Sequence, residues 1–119
     1  MSLVFVYGTL KRGCLNHGRL AGQTFVDVAR SESGYRLYDL GHYPGLVADA
    51  TSPLGVIGEI WEVDEQAVAD LDAFEGVNEG LYSRRPIRLL PPHADLQVDT
   101  YVYLPSVSGR RELDGEWLE

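Results

Sequence analysis

The sequence predicts an α+β fold: a small mixed or antiparallel β-barrel with one main helix and short flanking helical turns. Three observations predict it. Only the stretch from Asp64 to Gly76 carries a convincing helical stripe of apolar residues. About six other segments run apolar or alternate, are rich in β-forming residues, and are bounded by turn residues. A chain of 119 residues buries roughly two-thirds of its unfolded surface without staples. One helix on that many strands implies a strongly curved sheet, and a curved sheet that closes on itself loses its exposed edges. Residues 1–119 are read as a single domain, without linker or internal repeat.

The elements follow in order. Leu3 to Tyr7 is a continuous apolar run, the signature of a buried central strand. It ends at Gly8, which opens the polar, glycine-bounded loop Gly8-Thr9-Leu10-Lys11-Arg12-Gly13. Asn16 to Leu20 has the makings of a short helical turn. Gln23 to Ala29 and Tyr35 to Leu40 have strand character. Tyr43-Pro44-Gly45-Leu46 reads as a turn entering a brief apolar stretch to Ala48. Gly55 to Val63 is a long strand, with Ile57, Glu59, Trp61 and Val63 on one side and Val56, Ile60 and Glu62 on the other. Asp64 is a good N-cap for the helix, Glu65 suits its first turn, and Gly76 suits its end. Tyr82 to Leu90 is a strand with an edge-type Pro86. Pro91-Pro92-His93 breaks it. Leu96 to Leu104 alternates, placing Val98, Thr100 and Val102 opposite Asp99, Tyr101 and Tyr103. Beyond Pro105 the chain turns polar and glycine-rich, and Arg110 to Glu119 is expected to be only partly ordered.

Composition excludes several function classes. The net charge is −8, and no basic run exceeds a pair, which argues against binding a nucleic-acid backbone. A single cysteine, Cys14, rules out a disulfide within the chain and speaks against a cysteine-based zinc site. His42 and His93 sit beside turns without metal-ligand spacing. The N-terminus lacks a basic segment and a signal-length apolar run, and no stretch approaches the ~20 apolar residues of a membrane helix. The expectation is a cytoplasmic protein that needs no metal or organic cofactor.

One carboxylate stands in an unexpected place. On the helix, Val68, Leu71 and Glu75 share a stripe at i, i+3 and i+7, flanked by Ala67 and Phe74. Glu75 thus points where the oily residues point. A charge aimed at a core is costly unless something there uses it, so Glu75 is a candidate general base. Burial and the negative end of the helix dipole would both raise its pKa. The alternative is a helix-terminal glutamate that turns back to water. Glu59, inside a strand among apolar residues, is a second unusual carboxylate, better read as a hydrogen-bonded structural residue. The loop after the first strand matches the glycine spacing of a phosphate loop at Gly8 and Gly13. Cys14-Leu15 stands where Lys-Ser/Thr should follow, so nucleotide binding is a poor reading. What remains is a run of backbone N–H groups able to form an anion nest, or a plain turn. Cys14, with His17 nearby, is a weaker candidate nucleophile. The tyrosines, notably Tyr7, Tyr43, Tyr82 and Tyr103, can line a polar-tipped pocket or serve as ordinary core aromatics.

Taken together, Tyr7-Gly8-Thr9-Leu10-Lys11-Arg12-Gly13 with Asn16-His17, and Leu71-Asp72-Ala73-Phe74-Glu75-Gly76 with Leu81-Tyr82-Ser83-Arg84, resemble the two signature blocks of the γ-glutamylcyclotransferase-like superfamily. The resemblance is closest to its γ-glutamylamine cyclotransferase (avirulence-induced-protein-like) branch. Tyr43-Pro44-Gly45-Leu46 and Gly58-Glu59-Ile60-Trp61 resemble further blocks in the right order. The resemblance covers most of residues 3 to 104. It implies a small mixed β-barrel, a substrate loop formed by Tyr7, Gly8, Thr9 and Leu10, and Glu75 as proton acceptor. It implies a γ-glutamyl amide as substrate, closed by its own α-amine to 5-oxoproline with release of an amine. A non-catalytic γ-glutamyl-binding module on the same fold is the alternative, and a thiol hydrolase using Cys14 is a third. The leaving amine and the oligomeric state stay open.

Overall fold

The computed structural model describes residues 1–119. Eight strands and one α-helix build a mixed, strongly curled sheet. The strands are β1 (Ser2–Val6), β2 (Thr24–Arg30), β3 (Tyr35–Asp39), β4 (Pro44–Ala48), β5 (Ile57–Val63), β6 (Tyr82–Ile87), β7 (Val98–Tyr103) and β8 (Arg111–Leu113); the helix α1 spans Glu65–Phe74. Short 3₁₀ turns occupy His17–Leu20 and Val77–Glu79. No helix is long and apolar enough to cross a membrane.

The sheet order is β2-β5-β1-β7-β4-β3-β8, with β6 on the other side of β7. The apolar β1 is central, antiparallel to β5 and parallel to β7. The curl brings the ends of β2 and β6 together. Ser31 bridges Leu89, the Glu32 amide donates to the Arg88 carbonyl, and the Leu90 amide donates to the Arg30 carbonyl. Pro86 lies on β6, whose named strand pairing is to β7 alone, so its missing N–H costs no ladder bond.

Alternation along the strands sorts the core into two faces. Phe5, Leu37, Leu46, Ile60, Ile87, Val98 and Val102 fill the curl. Val4, Val6, Trp61, Val63, Tyr82 and Tyr101 face outward and receive Ala67 and Leu71 of α1. The helix begins where expected: the Asp64 side chain accepts from the Ala67 amide at 2.7 Å, a cap contributing ~1 kcal/mol. It ends at Gly76, whose φ of 67° is left-handed.

Two expectations are corrected. Pro44 and Gly45 are not a turn but the first residues of β4, paired with Asp39 and Tyr38. Pro44 needs no partner for an absent N–H at a strand start, which turn propensity alone does not reveal. Arg110 to Glu119 is also built in rather than loosely ordered. Arg111–Leu113 pair with β3, the Ile57 amide donates to the Gly115 carbonyl, and Trp117 is buried in the core. One large indole outweighs the polar composition around it.

Candidate active site

β7 is flanked on one side by two strands in succession. β1 pairs with it at Asp99 and β4 at Val102. The seam between them is closed by a side chain. The Tyr7 hydroxyl donates to the Tyr101 carbonyl at 2.6 Å and accepts from the Leu46 amide at 3.2 Å. Where β1 leaves the sheet, a cavity of about 340 Å³ opens between the loop after β1, the start of β4 and the end of α1.

The loop from Gly8 to Asn16 forms one wall. Its own turns hold it: the Lys11 amide donates to the Gly8 carbonyl, and the Asn16 amide to the Thr9 carbonyl. The Asn16 side-chain amide donates to Thr9 Oγ1, and the His17 ring meets the Leu10 carbonyl. The N–H groups of Gly8, Thr9 and Leu10 have no protein acceptor, although Thr9 and Leu10 are buried. Buried amides without partners are rare, and three neighbouring free N–H groups beside a cavity are able to receive an anion. Gly8 is required locally: a Cβ there would lie 2.7 Å from the Pro44 ring.

Glu75 supplies the opposite wall. It caps the C-terminal end of α1, its amide bonded to the Leu71 carbonyl. Its half-buried carboxylate lines the cavity with Tyr7 to Leu10. No hydrogen bond or ion pair engages it. Burial pushes its pKa up to about 7, against the opposing pull of the Arg19 charge. Arg19 itself stacks over the Phe74 ring at 3.9 Å. The hydroxyls of Tyr7 and Tyr82 are pushed upward first by burial, with the charge of Glu75 adding to it. Tyr82 donates to the Pro44 carbonyl at 2.9 Å.

The structure therefore brings together Tyr7, Gly8, Thr9, Leu10, Tyr43, Tyr82 and Glu75. It leaves Tyr103 outside. That ring packs edge-on against Tyr82, 5.2 Å between centroids, and Tyr101 takes the place at the cavity. Both lie on the same strand face, so alternation could not separate them; position along β7 does. Sequence reasoning also missed Leu15, Asn16 and His42 as lining residues. Their only signal was adjacency to Gly8–Gly13 and to Tyr43.

Cys14 does not line this cavity, and its thiol is pushed up by burial and by the Glu119 charge. His17, the base expected beside it, is instead committed to the Leu10 carbonyl and packs on Trp61 at 5.3 Å. The Cys14–His17 pair of a thiol hydrolase is thus not assembled. No three His, Cys, Asp or Glu side chains cluster as a metal site.

Glu59 is tied to the same loop from below. Its carboxylate accepts from the Arg12 amide, Arg12 Nε and Trp61 Nε1, each at 3.1 Å. Burial alone would raise its pKa, but those donors outweigh it and hold the pKa below the ordinary value. From the far side, Lys11 Nζ donates to the Trp117 carbonyl, and the Leu15 amide donates to Glu119 Oε1. The loop is fastened at both ends, while the N–H groups of Gly8, Thr9 and Leu10 stay without a protein acceptor.

Comparison with known proteins decides the family. The family described as γ-glutamyl cyclotransferase, AIG2-like, matches residues 4–119. The chain belongs to it. Among its relatives, a Vibrio cholerae protein named for γ-glutamylcyclotransferase is 47% identical over 75 residues, a match spanning 63% of either chain. The γ-glutamylaminecyclotransferase A of Danio rerio is 34% identical, over 97% of this chain and 73% of its own. The crystal structure of an AIG2-like protein from Mus musculus superposes with a TM-score of 0.79 at 29% identity, covering 97% of this chain and 87% of that one. The expected fold and the expected family are thus both found, and a γ-glutamyl cyclotransferase-like enzyme is the coarse assignment they support.

Proposed function

We propose that this chain is a γ-glutamylamine cyclotransferase. It closes a γ-glutamyl amide on itself, releasing 5-oxoproline and a free amine, with Glu75 as general acid and base. One observation carries the reading: an unpaired, half-buried carboxylate and three acceptor-free main-chain N–H groups share one cavity.

The substrate brings its own nucleophile. Its α-amine is an ammonium at neutral pH and must lose a proton before it can attack. Glu75, with its pKa raised to about 7, accepts that proton, and the nitrogen lone pair forms a bond to the γ-carbonyl carbon. The carbonyl oxygen takes up negative charge as the ring closes. Glu75 then returns that proton to the amide nitrogen and the old C–N bond breaks as the carbonyl re-forms; the ring nitrogen gives up its second proton, which the departing amine carries away as an ammonium. No water is consumed. A base whose pKa lies near the working pH suits both transfers.

The N–H groups of Gly8, Thr9 and Leu10 are assigned the α-carboxylate or the developing oxyanion. Tyr7 and Tyr82 shape the walls, because their hydroxyls are spent on Tyr101, Leu46 and Pro44. The cavity also folds a flexible chain into an attacking geometry, an effect as large as the proton transfer itself.

The test is direct. The protein is incubated with ε-(γ-glutamyl)-lysine and a panel of other γ-glutamyl amides, and 5-oxoproline is measured. Turnover that collapses in Glu75→Gln while ligand binding persists supports the reading. Ligand binding by the wild type without any turnover assigns the chain to the binding-module class instead.

A further inference from the structure

The glutamyl headgroup does not account for the whole cavity. A cavity of ~150 Å³ is enough to seat benzene, and this one measures about 340 Å³. The remaining space lies toward a mouth where Leu15, His42 and Tyr43 gather. Leu15 is 76% exposed and Tyr43 40%. Single exposed apolar residues are ordinary. Here two of them share one rim, and the Leu15 backbone is fixed by its bond to Glu119. Phe74 and Leu81 continue the apolar surface inward.

Charge is distributed just as unevenly. Glu75 is the one carboxylate on the lining, and no lysine or arginine joins it. Arg12 is engaged with Glu59 and Lys11 with the Trp117 carbonyl, and Arg19 stays off the lining itself, stacked on the Phe74 ring at the Glu75 end of the cavity. Besides the N–H groups of residues 8–10, the lining holds the Asn16 amide, which donates to Thr9 Oγ1, and the exposed His42 ring. A leaving group carrying its own carboxylate or ammonium would find no fixed partner at the mouth, whereas an apolar group would bury surface at ~25 cal/mol per Å².

We infer that the cavity mouth formed by Leu15 and Tyr43 is a subsite for a bulky apolar amine, so that the preferred substrates are γ-glutamyl amides whose leaving amine carries an apolar group, with an arylalkyl amine as the probe. This rests on the cyclotransferase reading for turnover, but the subsite is measurable without it.

The experiment compares γ-glutamyl-phenethylamide with ε-(γ-glutamyl)-lysine. Release of 5-oxoproline gives kcat/KM for each, and calorimetry on Glu75→Gln gives affinity for each without turnover. The expected result is a preference of at least ~10-fold for the arylalkyl amide, cut by ~5–10-fold in Leu15→Ser and in Tyr43→Ala, mostly through KM. Val28→Ser, an apolar change on β2 at an exposure between those of Tyr43 and Leu15 (Val28 is 54% exposed), serves as the control and leaves the preference intact. Equal use of both amides, or a preference for the lysine amide, overturns the subsite. So does a preference that Leu15→Ser does not alter. Absence of turnover on both amides, with selective binding of the arylalkyl one that Leu15→Ser weakens, removes the cyclotransferase reading and keeps the subsite.

Discussion

Two carboxylates sit beside one loop and have opposite fates. Glu59, on β5, is 7% exposed and receives three donors. Glu75, at the end of α1, is half-buried and receives none. The first is held ionised, its pKa below the usual value; the second is pushed up to about 7. Burial raises both, so burial does not separate them. What separates them is whether fixed donors answer the charge. A carboxylate saturated by hydrogen bonds is a fastener, and one left open beside a cavity is free to take up a proton.

The largest test of that contrast is kinetic. Glu75→Gln is expected to lower 5-oxoproline release by ~10²–10⁴-fold while ligand affinity changes little; retained turnover would remove Glu75 from the chemistry. The converse substitution is structural. Glu59→Ala leaves Trp61 Nε1 and the Arg12 amide without their acceptor, and a loss of ~2–3 kcal/mol in urea unfolding is expected. A loss below ~0.5 kcal/mol would mean that the loop does not depend on this clamp.

The Tyr7 hydroxyl sharpens the comparison from the sheet side. Tyr7→Phe abandons the Tyr101 carbonyl and the Leu46 amide, with an expected cost of ~1–3 kcal/mol and a looser β1–β4 seam visible in amide exchange. The smallest effect is a matter of sign. A carboxyl whose pKa is higher folded than unfolded binds its proton more tightly in the native state. The native state is therefore progressively disfavoured as pH rises from ~4.5 through ~7. Glu75→Gln removes that penalty and is expected to stabilise the fold at pH 8 by ~1–2 kcal/mol, after allowing for solvent at the half-buried group, and not at pH 4. The same group places the acid limb of kcat/KM near pH 7, and Glu75→Gln abolishes that limb. A limb near pH 4.5 would mean an ordinary, solvated glutamate.

Much of this arrangement was legible in the chain. Helical spacing aimed Glu75 inward, Asp64 and Gly76 bounded its helix, and the apolar run before Gly8 named the central strand. Glu59 was recognisable as a polar residue in apolar company. What escaped has a common physical cause. Tyr101 and Tyr103 share a strand face, and only the point at which β4 replaces β1 beside β7 decides which reaches the cavity. Leu15 and His42 come to the mouth through loop geometry, which no periodicity encodes. The ordered segment after Arg110 rests on Trp117 entering the core and on pairing with β3, a contact set by tertiary packing rather than local composition.

The ties from Lys11 to Trp117 and from Leu15 to Glu119 span 106 and 104 positions in sequence. Closing contacts at such separation is slow, because chain entropy must be spent before they form. The wall assigned to the substrate headgroup thus takes its final shape only once the C-terminal segment has docked. Trimming the last three residues removes both ties while leaving every strand of the sheet and the helix in the chain.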